Sequence, residues 1–171
     1  MSTLLEVSED QLVAELWARD VRFLMGSDSQ TAPALAPANL IASLAQSAYA
    51  RVRLSLIPLF LRHPEFSAEV EKADKSLLAE PSQMVLRFYY TAAVFLQRKY
   101  QKQLSRLLGK QPELADLFSN ALGVHSENNP GLALRQLAKR HQVLSGQFIN
   151  WIGTYEHAAD VWLKQMELQK A

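Results

Sequence analysis

The sequence predicts an all-α fold, a single-domain helical bundle of about six helices, on three observations. Apolar residues recur with helical spacing along most of the chain. No window shows the sustained alternation that is typical of β-strands. Prolines and glycines separate the periodic segments. With 171 residues and 49% hydrophobic content, the chain can bury a sizeable core, so we expect one helical domain over residues 1–171.

The first predicted helix covers roughly residues 8–25. Ser8 and Gln11 have the spacing of a capping box, in which the serine hydroxyl accepts a free backbone N–H and the glutamine reaches back. Apolar residues then follow at helical spacing until Gly26, where we expect the helix to end.

The second predicted helix runs from about 37 to 62 and contains a proline in an apolar run. Pro37 can occupy its first turn. Pro58 has no N–H, and its ring crowds the carbonyl of Leu54, so we expect a kink or a restart there. The hydroxyl of Ser55 could satisfy part of the backbone that the break leaves free.

The remaining boundaries follow from prolines in first turns and glycines after last turns. They place the fourth helix at about 81–108 and the last helix at about 131–168, with short helices opening at Pro64 and Pro112. Three long helices suit a bundle, because at 1.5 Å per residue each would extend roughly 40 Å or more.

The last predicted helix carries a narrow apolar stripe that should face the core. Its members are Leu134, Leu137, His141, Leu144, Phe148, Ile152, Tyr155, Ala159, Trp162 and Met166. The position of His141 favours a buried histidine whose ring nitrogens bond to neighbours. Gly146 and Gly153 share another side, where we expect a close contact with another element, such as a second subunit.

Charge is segregated along the chain, although the formal net charge is only +1. Residues 81–112 hold six bases and no acid, whereas residues 65–80 hold five acids and two bases. The long helices are therefore cationic and the short ones mostly anionic. The bases predicted to bind a partner are Arg87, Arg98, Lys99, Lys102, Arg106, Lys110, Arg51, Arg53, Lys139 and Arg140.

The fourth predicted helix concentrates this charge, because Arg98, Lys102 and Arg106 form a ridge with i, i+4, i+8 spacing. The ridge could be a solvated face, or the acidic short helices could neutralise it. Alternatively it binds an acidic protein surface or a nucleic acid, with RNA favoured over DNA. The leading prediction is therefore a non-catalytic helical subunit or adaptor that binds an acidic partner.

The segment RQLAKRH, residues 135–141, has an arginine and a histidine with five residues between them. This spacing resembles the R-x(4–6)-H motif of HEPN-type helical domains. That family includes metal-independent ribonucleases and the helical partners of minimal nucleotidyltransferases in toxin-antitoxin pairs. The segment FYYTAAVFL, residues 88–96, is also similar to a Tyr-Tyr helix of such domains. The resemblance implies that Arg135 and His141 act together at an RNA phosphodiester, commonly across a dimer interface, which is the alternative prediction.

Several other functions are not expected. The chain has no cysteine, which excludes disulfides and thiolate chemistry and is typical of a reducing compartment. It has no glycine-rich phosphate loop and no G-x-S-x-G element, and we expect neither a cofactor nor a metal site. The longest apolar stretch, 54–61, is far shorter than the ~20 residues of a membrane span. The expectation is a cytoplasmic protein without membrane contact, with a homo-oligomer through the last helix as a further prediction.

Overall fold

The computed structural model describes residues 7–26, 32–125 and 128–170, which form helices around one continuous core. No β-strand occurs in these ranges, so the predicted all-α class is confirmed. The α-helices are α1 (Glu9–Ala18), α2 (Pro37–Ala45), α3 (Ala50–Leu54), α4 (Leu56–Arg62), α5 (Val70–Ser76), α6 (Glu80–Lys99), α7 (Gln101–Leu108), α8 (Ser119–Leu122), α9 (Pro130–Ser145) and α10 (Trp151–Lys170). A 3-10 segment, Pro64–Glu69, precedes α5. The helices are thus shorter and more numerous than the six predicted.

Helix α6 is the centre of the bundle. Helices α9 and α4 make the most extensive contacts with it, and α2 and α10 also pack against it. All residues from 88 to 97 are buried. A helix that is apolar around most of its circumference has to be covered on several sides, and the surrounding helices provide that cover.

Helix α1 is shorter than predicted. The hydroxyl of Ser8 accepts the backbone N–H of Gln11 at 3.2 Å, so the predicted N-cap is confirmed. The helix ends at Ala18 because the chain turns at Asp20, which has a φ of 62°. Residues 21–25 then continue without helical structure.

The second predicted helix is interrupted at Ser55, close to the proline. Helix α3 ends at Leu54 and α4 begins at Leu56, so Pro58 lies in the first turn of α4, where its missing N–H leaves no hydrogen bond unmade. The hydroxyl of Ser55 donates to the carbonyl of Val52 at 2.5 Å. The predicted restart is therefore confirmed, three residues before the proline.

A second interruption, at residues 46–49, was not predicted, so the continuous helix over 37–62 is wrong. The hydroxyl of Ser47 accepts the N–H of Tyr49 at 3.2 Å, a local bond that competes with helical hydrogen bonding. Arg53 also donates to the carbonyl of Ser47 at 2.8 Å and holds the turn in place.

The fourth predicted helix is largely confirmed, and the fifth is mostly wrong. Helices α6 and α7 meet at Tyr100 within the range predicted for one helix. No helix opens at Pro112, because the buried amide of Gln97 bonds the backbone there. It donates to the Pro112 carbonyl at 3.0 Å and accepts the Leu114 N–H at 2.8 Å. Only the short α8 remains of the fifth helix.

The last predicted helix is two helices, so the continuous span 131–168 is wrong. Gly146 ends α9 in the left-handed conformation with a φ of 70°, which glycine adopts at little cost. The predicted stripe therefore fails at its centre, where Leu144 is 43% and Phe148 87% exposed. Gly146 and Gly153 no longer share a helix face, which removes the basis for a close contact there, while a homo-oligomer stays a prediction.

Glu15 is a buried carboxylate that joins the segment before α2 to α1. It accepts the N–H groups of Ala34 and Leu35 at 2.9 and 3.1 Å and pairs with Arg19 at 2.5 Å. The side chains of Glu15 and Arg19 are only 5% and 9% exposed. Removing one member of a buried pair leaves the other charge uncompensated, so this contact should matter for stability.

We expect Glu15→Ala to lower the free energy of unfolding by about 3–5 kcal/mol, because a buried guanidinium and two N–H groups lose their partner. Urea denaturation followed by circular dichroism measures this loss. The matched control is Glu9→Ala, whose partner Arg51 is largely exposed, and it should cost at most about 1 kcal/mol. Equal losses in the two variants would contradict the role of Glu15.

Candidate functional site

Two of the predicted binding residues, Arg87 and Arg51, are paired with acids of other helices. Arg87 forms two hydrogen bonds with Asp74, from Nε to Oδ1 at 3.0 Å and from Nη2 to Oδ2 at 2.9 Å. The hydrogen bond to Asp74 raises the pKa of Arg87. Arg51 pairs with Glu9 on the surface. The charge of Arg87 is thus compensated by a short acidic helix, as one of the sequence interpretations expected.

Acids of α10 pair with two further predicted residues. Lys99 pairs with Glu156 at 3.1 Å, and Arg106 pairs with Glu167. Both acids belong to the last helix, whereas the sequence placed the neutralising acids on the short helices. Acids of another long helix therefore pair with part of the ridge of α6 and α7, which reduces the charge that Lys99 and Arg106 offer to a partner.

Tyr100 lies on the same seam between α6–α7 and α10. Its hydroxyl donates to Asp160 at 3.0 Å. Burial, followed by this hydrogen bond and the nearby negative charge, raises the pKa of Tyr100 to about 12. The contact between these helices therefore combines ion pairs with a hydrogen bond from a phenol to a carboxylate.

Two predicted residues bond to backbone carbonyls. Arg53 donates to the Ser47 carbonyl at 2.8 Å, and Arg140 donates through Nε to the Leu122 carbonyl at 2.9 Å. Each guanidinium ties together two chain segments. Their charge is not balanced by a carboxylate in these contacts.

Besides Arg53 and Arg140, four predicted residues form no ion pair within the described part of the chain: Arg98, Lys102, Lys110 and Lys139. Arg98 lies over the ring of Phe95, with 5.7 Å from Cζ to the ring centroid. Lys102 follows Arg98 by one helical turn. We call Arg98, Lys102 and Lys110 the basic patch.

Two members of the basic patch line a groove beside α7. Arg98 and Lys110 contribute to its walls, and the groove has a volume of about 380 Å³. Leu104 and Pro112 give it an apolar part, and the carboxylate of Glu113 lies in it as well. The groove thus combines two cations that form no ion pair in the described chain, one acid and an apolar surface.

The structure does not bring Arg135 and His141 together within one chain. Helix α9 is continuous over both, so a separation of six positions places their side chains about 120° apart. Arg135 is exposed, whereas His141 is 4% exposed. The nuclease alternative stays a prediction, and it would need a second chain to supply one of the two groups.

His141 is held in an aromatic stack, so its predicted burial is confirmed. Its ring lies between Phe88 and Trp151, with centroids 4.1 and 3.5 Å away. Nδ1 lies 2.5 Å from the hydroxyl of Tyr155. Burial lowers the pKa of His141 to about 3 and raises the pKa of Tyr155. Both groups are therefore neutral near pH 7.

A pocket of about 520 Å³ opens next to this stack. Arg53, Tyr89, His141 and Trp151 are among the residues that line it, and the exposed Glu80 lies at its edge. Sequence reasoning did not find this pocket. In the sequence Tyr89 stands out only as part of the segment FYYTAAVFL, and no pattern there brings it near Arg53.

No family model, no curated protein and no solved structure matches this chain. Among the described residues there is no group of three or more His, Cys, Asp or Glu side chains that could hold a metal ion. The same residues include no helix that is long and apolar enough to cross a bilayer. Function is therefore inferred from the basic patch and the pocket.

Acid should destabilise the protein through His141. The pKa of His141 is about 3 in the folded protein, against an ordinary value of 6.5. Below pH 6.5 His141 therefore binds a proton in the unfolded chain but not in the folded one. This contribution to stability is complete above pH 6.5 and is lost as the pH falls toward 3. Between pH 7 and pH 5 we expect this residue alone to remove about 2 kcal/mol of unfolding free energy.

Urea denaturation at pH 7 and pH 5 tests this expectation. The comparison variant is His141→Phe combined with Tyr155→Phe, which keeps both rings and leaves no hydroxyl unpaired. The loss between the two pH values should be smaller in this variant by about 2 kcal/mol. An identical loss in both proteins would show that another group carries the acid sensitivity.

Proposed function

We propose that the protein is a non-catalytic helical adaptor that binds an acidic protein segment through the basic patch. The observation that supports this is the selective pairing along α6 and α7. Lys99 and Arg106 pair with acids of α10, while Arg98 and Lys102 on the same pair of helices form no ion pair among the described residues. Unpaired cations at a groove provide an electrostatic site for carboxylates.

The pairing also favours a protein partner over a nucleic acid. Affinity for a nucleic acid grows with the number of phosphates that basic side chains neutralise, and the internal ion pairs shorten the possible track. The described groove residues include no aromatic side chain on which a base could stack. Leu104 and Pro112 instead offer an apolar surface for the side chains of a peptide.

The acid in the groove sets the expected strength of this interaction. Glu113 partly offsets Arg98 and Lys110, so the groove itself has little net charge. Lys102 adds a further cation beside it. We therefore expect moderate affinity, with a dissociation constant on the order of micromolar, that weakens as salt screens the exposed charges.

Fluorescence anisotropy with a labelled peptide of alternating Glu and Leu, at low and at high salt, tests the proposal. The double variant Arg98→Glu, Lys110→Glu should weaken binding by about tenfold or more, because two attractions become repulsions. The matched control, Lys72→Glu with Lys75→Glu, makes the same charge change on exposed residues of α5 and should leave the affinity within about twofold.

Three outcomes would reject the proposal. The peptide could fail to bind, or both double variants could lose affinity equally, which would indicate a response to net charge alone. A single-stranded RNA run in parallel could also bind more tightly than the peptide and with a steeper salt dependence. That result would indicate a nucleic-acid partner instead.

The nuclease alternative is tested with Arg135→Ala, because this exposed side chain can be removed without disturbing the core. The adaptor proposal predicts that RNA stays intact after prolonged incubation with the wild-type protein. Gel electrophoresis of end-labelled RNA measures this. Cleavage by the wild type that disappears in Arg135→Ala would support the nuclease and overturn a non-catalytic role.

A further inference from the structure

The pocket beside His141 has the size and lining of a small-molecule site. Its volume of about 520 Å³ falls within the range of such sites. The connection between α2 and α3, the first turns of α6 and the end of α9 form its walls. One part is apolar and is formed by Met84, Val85, Leu144 and Trp151.

Two residues that are mostly buried each present one polar atom to this pocket, and neither atom has a hydrogen-bond partner in the described chain. Tyr89 is 6% exposed, and its hydroxyl makes no hydrogen bond to any described residue. His141 is 4% exposed, and its Nε2 likewise has no partner there. Their ring centroids lie 6.0 Å apart. Both atoms are therefore available to a molecule in the pocket, and a few converging polar groups beside an apolar wall are typical of small-molecule sites.

The contact with Tyr155 decides which nitrogen of His141 carries the proton. Tyr155 is fully buried and has no hydrogen-bond partner other than His141 Nδ1 among the described residues. If Nδ1 carried the proton, the phenol hydrogen would have no acceptor. The phenol therefore donates to Nδ1, and Nε2 of the neutral ring carries the N–H. His141 thus presents a donor.

Arg53 supplies a positive charge to the same pocket. One of its amino groups is held by the Ser47 carbonyl at 2.8 Å, which leaves the rest of the guanidinium for other acceptors. Its charge acts on the hydroxyl of Tyr89: burial raises the pKa of Tyr89, and Arg53 opposes that rise. Arg53 is the only cation and the exposed Glu80 the only acid among the described lining residues. Arg53 can therefore neutralise one negative charge of a ligand, and a second negative charge would have no cation to pair with.

We propose that this pocket binds a small monocarboxylic acid with an apolar body. The carboxylate accepts hydrogen bonds from Nε2–H of His141 and the hydroxyl of Tyr89 and is neutralised by Arg53. The apolar body lies against Met84, Val85, Leu144 and Trp151. No residue of the basic patch lines this pocket, so a test of carboxylate binding here is independent of the test of the proposed adaptor role.

Isothermal titration calorimetry with the straight-chain acids from butanoate to decanoate tests this site. The neutral probe 1-octanol and the doubly charged probe octyl phosphate are compared with octanoate. At least one acid should bind with a dissociation constant below ~1 mM. Octanol should bind about tenfold or more weakly than octanoate, because it lacks the charge that Arg53 recognises. Octyl phosphate should also bind more weakly, because Glu80 opposes a second charge.

The decisive variant is Tyr89→Phe, which removes only a hydroxyl that no described residue bonds. It should keep the fold and weaken octanoate by about tenfold, since hydrogen bonds to charged groups are the stronger ones. The matched control is Tyr49→Phe, the same change on a side chain that is 54% exposed and does not line the pocket, and it should bind octanoate as the wild type does.

Each of the following results would overturn the proposal: no acid binds below ~1 mM, octanol binds as tightly as octanoate, or octyl phosphate binds more tightly. Unchanged octanoate affinity in Tyr89→Phe would do so as well. Circular dichroism of both variants shows whether they are folded. If Tyr89→Phe does not fold, Arg53→Gln is tested in its place. It should weaken octanoate binding by about tenfold or more, and an unchanged octanoate affinity would again overturn the proposal.

Discussion

Helix α6 runs through the centre of the protein, and the side-chain polar groups of its buried stretch from 88 to 97, apart from the Tyr89 hydroxyl, all have hydrogen-bond partners. Thr91 bonds within the helix, to the Arg87 carbonyl at 2.7 Å. Tyr90 and Gln97 instead bond the backbone of the segment after α7, at Ala115 and at residues 112 and 114. Those bonds hold in place a segment without regular secondary structure, whose residues 109–113 form one wall of the groove.

Helix α6 contributes residues to both candidate sites, the pocket beside His141 and the groove beside α7. Two of these residues, Tyr89 and Arg98, differ in their surroundings. Tyr89 is the buried group whose hydroxyl no described residue meets, and it opens into the pocket. Arg98 leaves the buried stretch and reaches the groove, where no acid pairs with it within the described chain. Tyr89 and His141 in the pocket are buried, so salt screens a charge bound beside them less than it screens the more exposed basic patch.

The helical class and many helix starts could be predicted because they depend on local chemistry. Apolar spacing, Ser8 as a cap and prolines in first turns act over a few residues, and they are effective wherever the chain lies. The helix ends were predicted less well. Gly146 in a left-handed turn and the side-chain bond of Ser47 compete with helix continuation, and periodicity alone cannot show which of the two wins.

By itself the sequence determined the all-α class and the segregation of charge, since these follow from residue types and their spacing. Only the tertiary structure decided which cations are paired, because Lys99 and Glu156 are 57 positions apart and meet through helix packing. The pocket, too, was decided only by the tertiary structure. Arg53, Tyr89 and His141 lie on three different helices, and only the packing of those helices brings their side chains together.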